Sequence, residues 1–215
     1  MKFLNICGLI APIWLVIGVM LTATMYPGYS HMDQALSELH AMGSPVAAIS
    51  PFINNYPLGA LFIGFGVFVI GYCRCWTARL SGLMIILHGI GSWIAGAFPC
   101  DVGCNPDSTL ESQQIHGIGA VLMTVSFLIA PAMWVFLARQ RSSVSWFGFL
   151  SAATVVAQFI VFSPLATSLE SGSDFGFYQR VAYAIPMAWL FIFAALLKSD
   201  KIAQSRFECV NMSKA

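Results

Sequence analysis

Charge is what this sequence has least of. Asp, Glu, Lys and Arg make up 9% of its 215 residues, against about 25% in a typical soluble domain. Ten Lys+Arg and nine Asp+Glu leave a net charge of +1, so there is neither the basic excess that nucleic acid demands nor an acidic tail. No nucleic-acid partner is expected. Also missing are a Gly-rich phosphate loop, His-Glu-x-x-His, Gly-x-Ser-x-Gly, paired carboxylates inside an apolar run and a run with repeated charge. Those absences exclude the common hydrolase, pump and voltage-sensor signatures. Of four histidines, His88 alone falls at mid-depth of an apolar run, so a haem held by paired histidines lacks its second ligand. No cofactor is expected, and the sequence assigns no reaction.

What the chain has instead is apolar length. Hydrophobic residues make up 58% of it and the mean hydropathy is +0.78. Six stretches reach the roughly 17–25 residues with which a helix crosses a hydrocarbon layer, every backbone polar group being satisfied internally. They are residues 4–25, 56–73, 80–98, 115–137, 146–165 and 177–197. The expected fold is all-α: a polytopic six-helix membrane bundle, one domain over residues 1–200, with a short cytoplasmic tail at 201–215. A cleaved signal peptide is the competing reading of the first stretch, but that run is longer than the usual 7–15-residue apolar region.

Lys and Arg near span ends are retained on the cytoplasmic side. With six spans, one side holds Lys2, Arg74, Arg79, Arg139, Arg141, Lys198, Lys201, Arg206 and Lys214; only Arg180 falls opposite. The acidic residues are reversed, with Asp33, Glu38, Asp101, Asp107, Glu111, Glu170 and Asp174 outside and Asp200 and Glu208 inside. Both termini are therefore expected in the cytoplasm of a cell-membrane protein. The basic turns are short and the outer loops long, which makes the outer face the place to look for function.

In the first outer loop, Ser30 with Asp33 resembles a capping box, Met32, Ala35, Leu36, Leu39 and Met42 share one helical face, and Gly43 supplies a stop. This predicts a short interfacial helix, with Glu38 either in water or turned inward as a lid. Cys100 and Cys104 are the only outer cysteines; Cys7, Cys73, Cys75 and Cys209 lie toward the basic side. A Cys100–Cys104 disulfide is the default, since the outer compartment is oxidising. A metal clip of both sulfurs with Asp101 and His116 is the alternative, which needs reduced thiolates; no metal is expected. Asp101 beside His116 makes either an acid–base couple or an interfacial hydrogen-bonded pair. Arg180 either snorkels to a lipid phosphate or pairs with Glu38, Asp101 or Glu170. His88 and Gln158, at mid-depth, should face the bundle interior, where they can bond each other. Asn54 and Asn55, at the entrance of the second span, suit helix capping or a polar head group.

Taken in order, Pro27-Gly28-Tyr29, Ser37-Glu38-Leu39, Phe98-Pro99-Cys100-Asp101 with Cys104, His116 and Gln179-Arg180 resemble the bacterial and archaeal integral-membrane proteins of domain-of-unknown-function family 998. His40 departs from the pattern, standing where a small residue is expected. The resemblance implies a six-span membrane protein with no established activity, and groups Glu38, Asp101, His116 and Arg180 as one outer-face cluster. The leading expectation is a protein that binds or moves a membrane lipid or small amphiphile through a polar outer vestibule. The alternatives are a lipid hydrolase or transferase using Asp101 and His116, and a partner-assembly protein whose interface would centre on Gly117, Gly119 and Ala120. Protein partners stay unassigned.

Overall fold

The computed structural model describes residues 2–140 and 145–198. Arg141, the tail at 201–215 with its Lys201, Arg206, Lys214, Glu208 and Cys209, and Asp200 lie outside the described residues. A 3-10 turn at Lys2–Leu4 leads into α1 (Asn5–Thr24), and the first long loop carries a 3-10 helix, Leu36–His40. The four-residue α2 (Ser50–Ile53) runs into α3 (Asn55–Tyr72), followed by α4 (Trp76–Ala97), a 3-10 turn at Val102–Cys104, α5 (Glu111–Gln140), α6 (Ser145–Ser171) and α7 (Phe175–Lys198). Among the described residues there is no strand. Six helices are long and apolar enough to cross a membrane, α2 and α3 counting as one.

The spans end later than the apolar runs suggest, because Pro131, Pro164 and Pro186 sit inside their helices instead of ending them. α6 continues past Pro164 to Gly172, whose φ of +72° supplies the left-handed stop that glycine adopts without strain.

Each long helix packs against the next, α3 on α4, α4 on α5, α5 on α6 and α6 on α7, and α1 touches both α3 and α7. The six spans therefore close into a ring. Its tightest seams depend on glycine: a Cβ on Gly89 would lie 2.6 Å from Gly59 O, and one on Gly119 would lie 3.0 Å from Gly91 O. Such approaches let backbones pack where lipid gives helices no hydrophobic reason to associate. Gly119 is thereby committed inside the bundle, which removes it from the expected assembly interface. The outward faces are apolar, with Phe149 78% and Ile160 66% exposed on α6; a belt of this kind is a liability in water and the normal condition in a bilayer.

The ring has two unlike ends. The short turns, with Arg74, Arg79 and Arg139, form one; the long loops at 25–49, 98–110 and 172–174 form the other. At the basic end the interior is solid. Phe65, Trp134, Phe147, Trp189 and Phe193 stack into a plug with Leu137, Leu190 and Leu197. The indole N–H groups donate to hydroxyls, Trp134 Nε1 to Ser81 Oγ (3.1 Å) and Trp189 Nε1 to Ser151 Oγ (2.9 Å), which is how buried tryptophan avoids an unpaired donor.

The loop helix is shorter than predicted. Ser30 Oγ does bond Asp33 Oδ2 at 2.7 Å, but regular structure is confined to Leu36–His40 because Ala35 is extended (ψ 153°). The carbonyls a longer helix would need are used elsewhere: Phe177 N donates to Met32 O (2.8 Å), Gly176 N to Asp33 O (3.2 Å) and Arg180 Nη1 to Gln34 O (3.0 Å). The unsatisfied N–H groups at the start of α7 find their acceptors in this loop. Leu39 then buries against Val19, Ala23 and Val46, which presses the loop onto the ring as a cap.

Candidate functional site

Above the aromatic plug the ring is not filled. A cavity of about 560 Å³ occupies its loop-end half, reaching every long helix and the underside of the cap. His88, Phe127 and Gln158 line its deep part; Leu36, Ser37, His40 and Gln179 line its mouth. Its wall is mostly apolar with a few polar side chains, a size and character within the roughly 300–1,000 Å³ range of small-molecule sites.

The two mid-depth polar residues both face inward, but they do not bond each other. His88, 2% exposed, turns Nδ1 to Met123 O at 3.0 Å and lies flat on Phe127, ring centroids 3.6 Å apart. Gln158 Nε2 donates to Phe127 O at 3.3 Å. That carbonyl is the one freed by Pro131, four residues on, which has no N–H to return to it. The glutamine of α6 therefore repairs the proline break in α5.

The expected outer cluster is divided by the structure into three parts. His116 lines the cavity and turns Nδ1 to Phe98 O at 2.8 Å. Asp101 does not line it; its oxygens accept from Ser108 Oγ (2.6 Å) and Val102 N (2.7 Å). These bonds, the serine's first, hold its carboxyl below the usual carboxylate range. No hydrogen bond joins Asp101 to His116, so the acid–base couple is corrected to two residues with separate structural partners. Glu38 is not an inward lid either: Oε1 accepts from Ala35 N (2.8 Å) and Oε2 from Gln34 Nε2 (2.9 Å), closing a capping box on the 3-10 helix.

Arg180 pairs with none of the three expected carboxylates. Nη1 donates to Gln34 O and Gly176 O (2.8 Å), and Nη2 to Tyr29 OH (2.8 Å), whose hydroxyl donates on to Ala35 O (2.7 Å). Burial pushes the Tyr29 phenol up, and Arg180 opposes that shift. Arg180 thus pins the cap to α7.

Asn54 and Asn55 lock the start of α3 to its neighbours. Asn54 Nδ2 donates to Thr22 Oγ1 (3.2 Å) and Ser50 Oγ (3.3 Å), with Oδ1 pressed against Gly18; Asn55 Nδ2 donates to Ser92 O (3.3 Å), and Ser92 Oγ returns a bond to Asn55 O (2.9 Å).

Cys100 and Cys104 form a disulfide. With both sulfurs in the bridge, the metal clip loses its thiolates. Cys100 is buried beneath the cap, its carbonyl accepting from Met42 N at 2.9 Å. At the basic end Cys7 and Cys73 are free thiols, while Cys75 is disulfide-bonded, a correction to the expectation that bridging is confined to the loop end.

A family model described as protein of unknown function (DUF998) matches residues 9–196. The chain belongs to DUF998. No curated protein and no solved structure matches it, so the DUF998 assignment brings a fold and a set of short motifs but no chemistry. Sequence reasoning missed the part of this DUF998 chain that lines the cavity mouth. His40 stood out only as a departure from the family pattern, and Gln179, whose Oε1 accepts from Leu36 N at 2.6 Å, only as the neighbour of Arg180.

Proposed function

We propose that this DUF998 protein binds, or carries between bilayer and loop-end surface, a membrane lipid or small amphiphile held in the half-ring cavity. The observation that supports this is the cavity itself: about 560 Å³ of mostly apolar space in a helix ring that is solid at its other end. An apolar tail would bury against Phe62, Phe127 and Phe162, and a polar head would meet His40, His116 and Gln179 under the cap.

The same proposal sets the loop end outside a cell membrane and both termini in the cytoplasm. Support for it is the charge pattern, nine of ten basic residues falling to one side of six spans. A reaction run by Asp101 and His116 is not proposed, because each is held by its own partners.

Native mass spectrometry of the purified full chain tests the proposal. The unmodified protein is expected to retain an amphiphile mass that Ala120→Trp, which fills the cavity from α5, loses. A protein that carries no adduct, or an adduct equally retained by the filled variant, contradicts it.

A further inference from the structure

The cavity wall has an unequal supply of donors and acceptors. His40, His88 and His116 each turn Nδ1 to a backbone carbonyl, Ala47 O (2.9 Å), Met123 O (3.0 Å) and Phe98 O (2.8 Å) respectively. A carbonyl only accepts, so in each neutral ring Nδ1 holds the proton and Nε2 keeps a lone pair. His40 Nε2 is buried and has no partner in the protein. The amides behave alike: Gln158 spends its Nε2 on Phe127 O and Asn55 its Nδ2 on Ser92 O, which leaves Oε1 and Oδ1. Hydroxyl protons are also committed, from Ser92 to Asn55 O, Thr124 to Ala120 O and Tyr183 to Met123 Sδ. What the wall has left is mainly acceptors. No Asp, Glu, Lys or Arg lines the cavity, and Arg180 is occupied in pinning the cap.

We infer that the cavity selects an uncharged amphiphile that brings its own hydrogen-bond donor: a hydroxyl-bearing lipid such as a long-chain alcohol or a partial glyceride. This rests on the amphiphile reading of the cavity and names its ligand class. An anionic head would lose its hydration without meeting a cation, and an ammonium would lose it without meeting a carboxylate. A head with acceptors but no donor would face lone pairs with lone pairs and leave His40 Nε2 unpaired, and a buried polar atom without a partner is costly. A hydroxyl supplies the missing proton.

The test uses the full chain in nanodiscs, above the ordinary imidazole range, with four photoactivatable probes of one chain length: hexadecanol, its methyl ether, hexadecanoate and hexadecylammonium. Labelling of the α6 and α7 segments around Phe162 and Ala182 is read by mass spectrometry. Hexadecanol is expected to label them about tenfold more than the ether, the equivalent of one net hydrogen bond, and His40→Leu to narrow that gap while leaving ether labelling unchanged. The alcohol–ether comparison is made on the unmutated chain, so it does not depend on a variant's folding. Equal labelling by alcohol and ether, or a preference for the carboxylate or the ammonium, overturns the inference and leaves the amphiphile site standing. Absence of cavity labelling by all four probes overturns the site and the inference together.

Discussion

Single residues carry two tasks in this chain, mending backbone breaks and fixing the cap. Gln158 and Pro131 are coupled through the Phe127 carbonyl, so Gln158→Leu is expected to destabilise the protein less in a Pro131→Ala background, where the helix supplies its own N–H. The coupling should fall near the ~0.6 kcal/mol typical of interhelical polar contacts, read as a double-mutant cycle of unfolding midpoints. Arg180 makes three hydrogen bonds with its guanidinium. Arg180→Ala is expected to cost about 2 kcal/mol, the order of one or two charge-assisted bonds, and to open residues 25–49 to protease before the helices unfold; unchanged protection of that loop would remove Arg180 from its role. Ser108→Ala should raise the Asp101 carboxyl toward its ordinary value, as followed by NMR titration. Because the folded pKa is depressed, the interaction contributes fully at neutral pH and is lost as pH falls through the folded value; the variant should therefore show a weaker acid-side loss. At this scale the sequence was half legible. The inward direction of His88 and Gln158 followed from the cost of a polar group in hydrocarbon, but their partners did not, since backbone carbonyls are invisible to side-chain pattern and compete well with any pairing of two polar residues.

At the scale of elements, apolar length was enough to read six helices, while their ends and the loop helix were not readable from periodicity. The prolines failed as stops because a neighbour repairs one freed carbonyl, and the cap failed as a helix because α7 and Arg180 claim its carbonyls. The glycine seams explain why the helices stay together: Gly119→Leu should cost about 1–3 kcal/mol by overpacking against Gly91 and Ile94, whereas Gly117→Leu, with open space at its Cβ, should be near neutral. Comparable losses at both positions, measured by thermal unfolding in detergent, would contradict the ring as described. The Cys100–Cys104 bridge closes too short a loop to add much to global stability, below the ~3 kcal/mol of a 15-residue loop. Its effect should be local, with Cys100→Ser/Cys104→Ser leaving the unfolding midpoint almost unchanged while speeding hydrogen exchange at Met42, whose amide bonds Cys100 O.

The whole molecule is a ring with one solid half and one hollow half, and that asymmetry was not legible in the sequence. Composition announces that apolar residues are buried or in lipid; it does not announce where a ring interior lacks enough side-chain volume to close. In hindsight the large aromatics concentrate toward the basic end, with Trp134, Phe147, Trp189 and Phe193 on three helices at one level, while the loop-end halves of the same helices offer Ala120, Ala166 and Ala182 to the interior. The orientation of this asymmetry in a cell is tested by cysteines introduced singly at Asp107 and Arg139. An impermeant thiol reagent should modify the first and spare the second in intact cells, and the reverse pattern would invert the proposed topology. Native thiols serve poorly for this, since burial pushes Cys73 up to about 12 and keeps it unreactive.

The most direct measurement is an experimental density map of the full chain extracted with its native lipids. The account predicts elongated density running from beneath His40 down to His88 and Phe127, ending above the Trp134–Phe193 plug. A loop-end interior closed by repacked side chains, or one holding only separate waters, would contradict it.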